Sequence, residues 1–323
     1  YNTAVGHKAL EENLASNNTA IGFGALEANT TGANNTSVGY HALYTNTTGQ
    51  QNVALGYQSM RLNTTGSYNC AVGLDSLEAN TTGAQNTATG NHSLTSNTTG
   101  SLNSAFGNST LDANTTGSHN SAFGHNALGA NTTANDNTAV GYAVLKVNTT
   151  GTGNVGVGAS ALTSNNASYN TAIGWQALKQ NTTANANTAI GFQALYTANA
   201  GGSGGYNNSA VGYHALYSLT TGVQHCAVGQ EALFACTTGN NNVAMGYQAL
   251  YSQTTGSNAT ALGWKSLNAN TTGANTAVGS QALLTVTTGN NNTAMGISAL
   301  LSSTADNNTA FGHVALTANT TGV

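Results

Sequence analysis

The stretch Asn242-Val-Ala-Met-Gly-Tyr-Gln-Ala-Leu-Tyr-Ser-Gln-Thr-Thr-Gly256 is one copy of a unit that recurs along all 323 residues. The consensus is N-T-A-V-G-Y-Q-A-L-x-x-N-T-T-G-x-x, and its first glycine occurs 19 times, in thirteen steps of 17 residues, four of 16 and one of 21. A short fixed period is typical of solenoids, so we predict a β-solenoid or β-roll of 19 coils of about 17 residues. Positions below are counted from this glycine as zero, and the glycines are Gly6, Gly22, Gly39, Gly56, Gly73, Gly90, Gly107, Gly124, Gly141, Gly158, Gly174, Gly191, Gly212, Gly229, Gly246, Gly263, Gly279, Gly296 and Gly312.

The repeat runs through the whole sequence, which predicts a single continuous solenoid over residues 1–323. The 21-residue step contains the run Gly201-Gly202-Ser203-Gly204-Gly205. Glycine-rich runs favour loops, so we expect residues 200–206 to form a loop inserted in one coil.

Each coil has two halves with different residue patterns. Thr-Ala-Val at −3 to −1 favours a short strand, which we expect to pair in parallel with its copies in neighbouring coils. Eleven of the 14 charged residues lie at +2 or +5, and apolar residues recur at +1 and +4. In both sets the two positions are three residues apart, which favours a helical turn over the x-x-Ala-Leu segment. A flat β-roll with two strands per coil is the alternative. The adjacent +3 and +4 residues could not both face inward on one strand, which favours the helical turn.

Three positions predict a slim core. Position +4 is Leu in 18 of 19 coils, with Met60 as the exception, and position +3 is small or β-branched. Position −1 is apolar in every coil but that of Thr89. We therefore expect −1, +3 and +4 to face inward. The zero glycine permits a sharp corner with a positive φ.

Asparagine stands at −4 in 17 of 19 coils. The recurrence favours a structural ladder in which stacked amides form hydrogen bonds from coil to coil, over the alternative of a row that binds a ligand. The ladder begins with Asn2, Asn18, Asn35, Asn52 and Asn69.

The Asn-Thr-Thr-Gly segment contains a sequon for N-linked glycans, which are carried by exposed turns of secreted proteins. Four coils keep Thr-Thr-Gly but replace the Asn with Leu219, Cys236, Gln253 or Val286, so the turn itself depends on Thr-Thr-Gly. Both N-linked and O-linked glycans are therefore expected alternatives. The candidate N-linked residues are Asn29, Asn46, Asn63, Asn80, Asn97, Asn114, Asn131, Asn148, Asn181, Asn270 and Asn319, and the candidate O-linked residues are Thr31, Thr48, Thr65, Thr221, Thr238, Thr255 and Thr288.

Composition argues against several classes of function. Charged residues make up 4% of the chain, against about 25% in ordinary soluble domains, and five cations cannot neutralise a nucleic-acid backbone. No apolar run reaches the length of a membrane span, so we expect no membrane insertion. Three cysteines and eight scattered histidines match no metal-site spacing, and nine acids spread over 19 coils supply no catalytic cluster. We therefore expect no enzyme, no metal and no cofactor.

Two surface functions are minor alternatives. Stacked threonines favour an ice-binding solenoid, although adjacent threonines on one strand would face opposite sides. Recurring aromatic residues at +1 favour either a carbohydrate-stacking strip or packing along and between chains.

The run Asn-Thr-Ala-Val/Ile-Gly resembles the head repeats of trimeric autotransporter adhesins, whose unit contains a similar Ser-Val-Ala-Ile-Gly core. The longer unit, as in residues 242–256, is similar to repeats of bacterial surface and phage tail-fibre proteins. This chain differs from the adhesins in its longer period and in having no heptad stalk. The resemblance implies a β-roll-like surface fibre that touches other surfaces.

The expected function is thus a structural or adhesive extracellular filament on a cell surface, decorated with glycans, with a phage or bacterial tail-fibre shaft as the alternative. The frame of the repeat continues from the last residues into the first, since 17 residues separate Gly312 from Gly6 across the join. We therefore expect either a segment of a longer repeat or a chain that associates with itself, head to tail or side by side.

Overall fold

A computed structural model describes residues 1–198 and 206–320. The chain divides into two compact units, Tyr1–Ala159 and Ser160–Val323. Apart from Tyr206, the loop insertion predicted at 200–206 lies outside the described residues. Within each unit, the predicted parallel β-solenoid with one short strand per coil is confirmed.

The first unit, all of whose residues are described, contains ten strands of three residues each. Consecutive strands pair in parallel and in register, so that Ala20 lies opposite both Ala4 and Ser37. The strands are β1 (Thr3–Val5), β2 (Thr19–Ile21), β3 (Thr36–Val38), β4 (Val53–Leu55), β5 (Cys70–Val72), β6 (Thr87–Thr89), β7 (Ser104–Phe106), β8 (Ser121–Phe123), β9 (Thr138–Val140) and β10 (Val155–Val157).

The described part of the second unit contains nine such strands, again parallel and in register. Ala189, for example, lies opposite both Ala172 and Ala210. The strands are β11 (Thr171–Ile173), β12 (Thr188–Ile190), β13 (Ser209–Val211), β14 (Cys226–Val228), β15 (Val243–Met245), β16 (Thr260–Leu262), β17 (Thr276–Val278), β18 (Thr293–Met295) and β19 (Thr309–Phe311).

The core differs from the predicted one at the strand. The middle residue of each strand, at −2, faces inward, as with Ala20 and Ala71, which are fully buried. Because side chains alternate along a strand, the −1 residues face outward, and Ile21 is 40% exposed. The prediction that −1 belongs to the core is therefore wrong. The predicted +3 and +4 positions are buried, as with Ala42 and Leu43.

The predicted helical turn over x-x-Ala-Leu is wrong, since the described residues contain no helix. Two tight turns follow the strand. In the second coil Leu26 O accepts from Asn29 N (3.4 Å), and in the fifth Gly73 O accepts from Ser76 N (3.5 Å). The residues at +2 and +4 adopt left-handed backbone angles, with φ of 53° at Leu26 and 52° at Asp75. The two turns meet between +3 and +4, and this junction lets both side chains face inward, which one strand would not allow.

The zero glycine forms the predicted corner. Its φ is positive in every coil, for example 135° at Gly73. A Cβ atom on Gly73 would lie 2.6 Å from the carbonyl oxygen of Gly90 in the next coil. Both the backbone angle and the close approach of the next coil therefore require glycine.

Backbone hydrogen bonds join the coils beyond the strand. In the first unit Leu43 N donates to Ser59 O (3.0 Å), and Thr47 N donates to Thr64 O (2.9 Å). Leu250 N and Thr237 N make the equivalent bonds in the second unit. The return path of each coil is thus hydrogen-bonded to the next coil, which compensates for the absence of a second strand.

Candidate functional site

The asparagines of the Asn-Thr-Thr sequons, at position +7, lie inside the coils. Asn46 and Asn63 are fully buried. The Nδ2 atom of Asn63 donates to Oδ1 of Asn46 at 2.7 Å and to the carbonyl of Gly66 in its own coil at 3.0 Å. Every donor of this amide is therefore used within the protein, and the side chain has no surface.

In the first unit the +7 asparagines, including Asn13 outside the sequons, form one continuous ladder from Asn13 to Asn148. Eight hydrogen bonds join the nine side chains, with Nδ2 to Oδ1 distances from 2.6 to 3.3 Å. In the second unit Asn181 donates to Asn165 and Asn270 to Gln253. Leu219, Cys236 and Val286 occupy the same position there and are equally buried.

The prediction that these sequon asparagines are exposed is wrong for ten of the eleven candidates, and their burial argues against glycosylation of the folded coils. A folded coil has no room for a sugar on a fully buried, doubly hydrogen-bonded amide. The ten are Asn29, Asn46, Asn63, Asn80, Asn97, Asn114, Asn131, Asn148, Asn181 and Asn270. The eleventh, Asn319, is half-buried and donates to Oδ1 of Asn308 at 3.1 Å, and its glycosylation stays a prediction.

The −4 asparagines form a second ladder. The Oδ1 atom of Asn35 accepts from the backbone N of Asn52 at 2.9 Å, and Nδ2 of Asn35 reaches across its own coil to the carbonyl of Gly49 at 2.9 Å. The same side-chain-to-backbone bonds link the members named above, Asn2, Asn18, Asn35, Asn52 and Asn69. The ladder therefore runs mainly through backbone donors, and only some coils add a bond between amides, such as Asn69 to Asn52 at 3.3 Å.

The two threonines of each Thr-Thr-Gly segment have different roles. The first, at +8, bonds to the next coil, as when Oγ1 of Thr47 donates to Thr64 O at 3.0 Å. The second, at +9, is exposed. All seven candidate O-linked residues are of this kind, and their hydroxyls make no hydrogen bond to a described residue: Thr31, Thr48, Thr65, Thr221, Thr238, Thr255 and Thr288.

Aromatic residues at +1 stack from coil to coil. The ring centroids of Phe23 and Tyr40 are 5.5 Å apart, and those of Tyr40 and Tyr57 are 5.3 Å apart with planes 9° from parallel. Rings stacked in this way cover one another's faces and present their edges to solvent. A sugar packs against a ring face, so the stacked columns do not offer a continuous carbohydrate strip.

One coil interior departs from the repeat in both ladders. His225 replaces the −4 Asn and is 2% exposed, and the buried Cys236 replaces the +7 Asn of the same coil. The Nε2 atom of His225 lies 2.6 Å from Gly239 O and 3.8 Å from Sγ of Cys236. Its Nδ1 accepts from Asn242 N at 3.3 Å, so Nε2 carries the proton of the neutral ring. Burial lowers the pKa of His225 and raises the pKa of the Cys236 thiol to about 12. The sequence pattern did not single out this pair, although both residues stand at asparagine positions.

Charged side chains form a few ion pairs at the surface. Arg61 Nη2 lies 2.7 Å from Glu78 Oε1. Lys8 Nζ lies 3.0 Å from Glu11 and 3.2 Å from Glu27, and hydrogen bonds to these carboxylates raise its pKa. The described residues contain no group of three side chains that could hold a metal ion, no enclosed pocket and no helix able to cross a membrane.

Comparison with known proteins adds no identification. No protein family and no curated protein matches the chain.

Proposed function

We propose that this chain is a segment of a structural or adhesive extracellular fibre that associates with copies of itself. The observation that carries the proposal is the outward row at −1, in which large apolar side chains stand on the strand face of successive coils. Ile21, Phe123 and Val140 are 40%, 41% and 38% exposed. Contiguous exposed apolar surface of this kind marks interaction sites.

The interior supports a structural role. The buried amides of Asn46 and Asn52 bond to neighbouring coils and to their own turns, and the side chains inside the coils are thus committed to the fold. What remains for interaction is the outer surface: the −1 row, the aromatic columns and the +9 threonines. A fibre segment needs only such surfaces, whereas catalysis needs converging side chains in a pocket.

Glycan decoration is proposed only for the surface. The +9 threonines, such as Thr48 and Thr65, offer exposed hydroxyls for O-linked sugars. A coat of sugars would keep a chain of net charge −4 soluble. Intact-mass measurement of the protein from its native source tests this part: a mass above that of the bare sequence supports it, and the bare mass contradicts it.

Sedimentation velocity tests self-association through the −1 row. The triple variant Ile21→Thr, Val38→Thr, Leu55→Thr removes apolar surface, and the fold accepts Thr at this position because Thr89 occupies it. We expect the wild type to associate with rising concentration and the variant to associate at least about tenfold more weakly. The matched control Thr31→Ser, Thr48→Ser, Thr65→Ser should behave as wild type. A wild type that stays monomeric throughout would contradict the proposal, and a trimer would favour the tail-fibre shaft.

An ice-binding surface is the second candidate, because eight successive coils of the first unit each expose one +9 threonine. These residues form a single row, since the +8 hydroxyls are engaged in bonds such as that of Thr47 to Thr64. A thermal-hysteresis assay tests this candidate, and absence of hysteresis contradicts it. The row consists of Thr31, Thr48, Thr65, Thr82, Thr99, Thr116, Thr133 and Thr150.

A further inference from the structure

The +1 aromatic column of the second unit is interrupted at Gln230 and again at Ser280. Before Gln230, Trp175 and Phe192 stack with centroids 4.7 Å apart, and between the two interruptions Tyr247 and Trp264 stack at 6.4 Å. The next +1 residue, Ser280, has only a hydroxymethyl group where the preceding coil carries the indole of Trp264. The coil after it carries Ile297, which is 53% exposed. Trp264 and Ile297 thus stand on either side of a missing ring, and we call this gap the Ser280 slot.

The spacing of the column sets the width of the slot. The stacked +1 rings in this unit have centroids 4.7, 5.1 and 6.4 Å apart. Two such steps separate Trp264 from Ile297, which places the two walls about 9–13 Å apart, and a ring held midway would lie about 5–6 Å from each, within the normal range for stacked rings. The Ser280 slot therefore has the width of one six-membered ring.

The cation beside Trp264 lies away from the slot. Lys265 Nζ lies 4.9 Å from the centroid of Trp264 and 5.9 Å from that of Tyr247, while the two centroids are 6.4 Å apart. These three distances place the ammonium toward Tyr247 along the line that joins the two centroids. The ammonium therefore lies away from Ser280, and the indole of Trp264 is 45% exposed.

Polar groups border the slot. In earlier coils the +2 side chains bond to each other, as when Gln193 donates to Gln176 at 2.8 Å and Gln248 to Glu231 at 2.8 Å. The side chain of Gln281, beside Ser280, makes no hydrogen bond to a described residue, and neither does the Ser280 hydroxyl. An amide and a hydroxyl are therefore available next to an aromatic face.

We propose that the Ser280 slot binds one pyranose ring of a glycan. The C–H face of the sugar packs on Trp264, its opposite side contacts Ile297, and its hydroxyls bond to Ser280 and Gln281. An apolar face with a hydroxyl rim is the chemistry of a sugar, whereas a purely aromatic ligand would leave these polar groups unpaired. This site goes beyond the fibre proposal and does not depend on self-association.

Fluorescence titration tests the proposal, because the chain has two tryptophans and Trp175→Phe leaves Trp264 as the reporter. In that background, methyl β-D-galactopyranoside or methyl β-D-glucopyranoside should give a saturable change, with Kd on the order of 1–10 mM for a shallow one-ring site. Ser280→Phe restores the missing ring and should weaken binding more than about tenfold. Asn91→Phe adds the same ring at the +1 position of another coil and should leave binding unchanged.

Two results would overturn the proposal. One is a change that does not saturate with either glycoside or that survives Ser280→Phe. The other is saturable binding of benzyl alcohol with no binding of either glycoside, which would assign the slot to aromatic ligands. Sedimentation of the same samples measures self-association independently of sugar binding. A chain that stays monomeric would contradict the fibre proposal, but it would not change the result of the sugar titration.

Discussion

The Nδ2 atom of Asn46 donates a hydrogen bond to Oδ1 of Asn29 in the preceding coil, 2.7 Å away. Both side chains are fully buried, although each begins an Asn-Thr-Thr sequon. The most frequent modification signal in the sequence is thus an internal amide ladder. The burial argues against glycans on these asparagines, so the exposed +9 threonines are the proposed acceptors.

The ladder predicts a specific cost for losing one amide. In Asn80→Ala, Oδ1 of Asn63 loses its donor and Nδ2 of Asn97 loses its acceptor. We expect the free energy of unfolding to fall by about 1–3 kcal/mol, measured by urea denaturation. Thr82→Ala in the same coil removes an exposed hydroxyl and should change it by less than about 0.5 kcal/mol. Equal effects of the two substitutions would contradict an internal ladder.

The corner glycines predict a contrast between two alanine substitutions. Gly73→Ala forces a Cβ to 2.6 Å from Gly90 O at a φ of 135°, and should lower the thermal midpoint of the first unit by several degrees. Gly129→Ala meets only the flexible side chain of Asn126, also at 2.6 Å, and should be nearly neutral. Scanning calorimetry measures both. A tolerated Gly73→Ala would show that the coils are not stacked as closely as described.

His225 predicts a pH dependence of stability. Burial lowers the pKa of His225 below its usual 6.5, so this imidazole binds a proton more readily in the unfolded chain than in the folded chain. Its contribution to stability is therefore complete above pH 6.5 and is lost as the pH falls below that value. We expect the urea midpoint to fall between pH 7.5 and 5.5 more steeply in the wild type than in His225→Asn, which restores the repeat's own residue. Parallel pH profiles for the two proteins would refute the assignment.

The three cysteines should differ in reactivity. Burial raises the pKa of Cys236 to about 12 and removes it from solvent, whereas Cys70 and Cys226 stand at the outward −3 position of their strands and are half-buried. With an aromatic disulfide reagent at pH 8, two thiols should react in the folded protein and the third only after denaturation, because the thiolate is the reactive form. Burial also raises the pKa of Cys70, so its reaction should be slow. Three thiols of equal rate would contradict the described interior.

The period of the repeat was sufficient to predict the solenoid, the position of each strand and the positive φ at the zero glycine. It did not predict which strand residue faces inward. Apolar Val5 and Ile21 suggested a core at −1, but a slim interior has room only for the −2 alanines, and alternation then turns −1 outward. The spacing of three at +1 and +4 matched a helix, although left-handed backbone angles at positions such as Lys265 and Leu267 produce the same spacing with two turns.

The burial of the sequon asparagines could have been predicted from the residues that replace them in other coils. Four of the coils that keep Thr-Thr-Gly replace the Asn. Three of these replacements, Leu219, Cys236 and Val286, are among the residue types most often buried. Such substitutions indicate an inward position and contradict an exposed turn. The Ser280 slot is visible in the aligned repeat as a small residue at +1 after Trp264, but the sequence alone did not show that +1 rings stack from coil to coil.

Cryo-electron microscopy of the purified chain over a range of concentrations is the sharpest test of the proposed self-association. We expect assemblies in which solenoid chains contact each other through the −1 rows, as at Ile21 and Phe123, or continue one another end to end. We also expect no sugar density at Asn46 or the other buried sequons. Isolated chains at every concentration, with the −1 rows facing solvent, would contradict the proposal of a self-associating fibre.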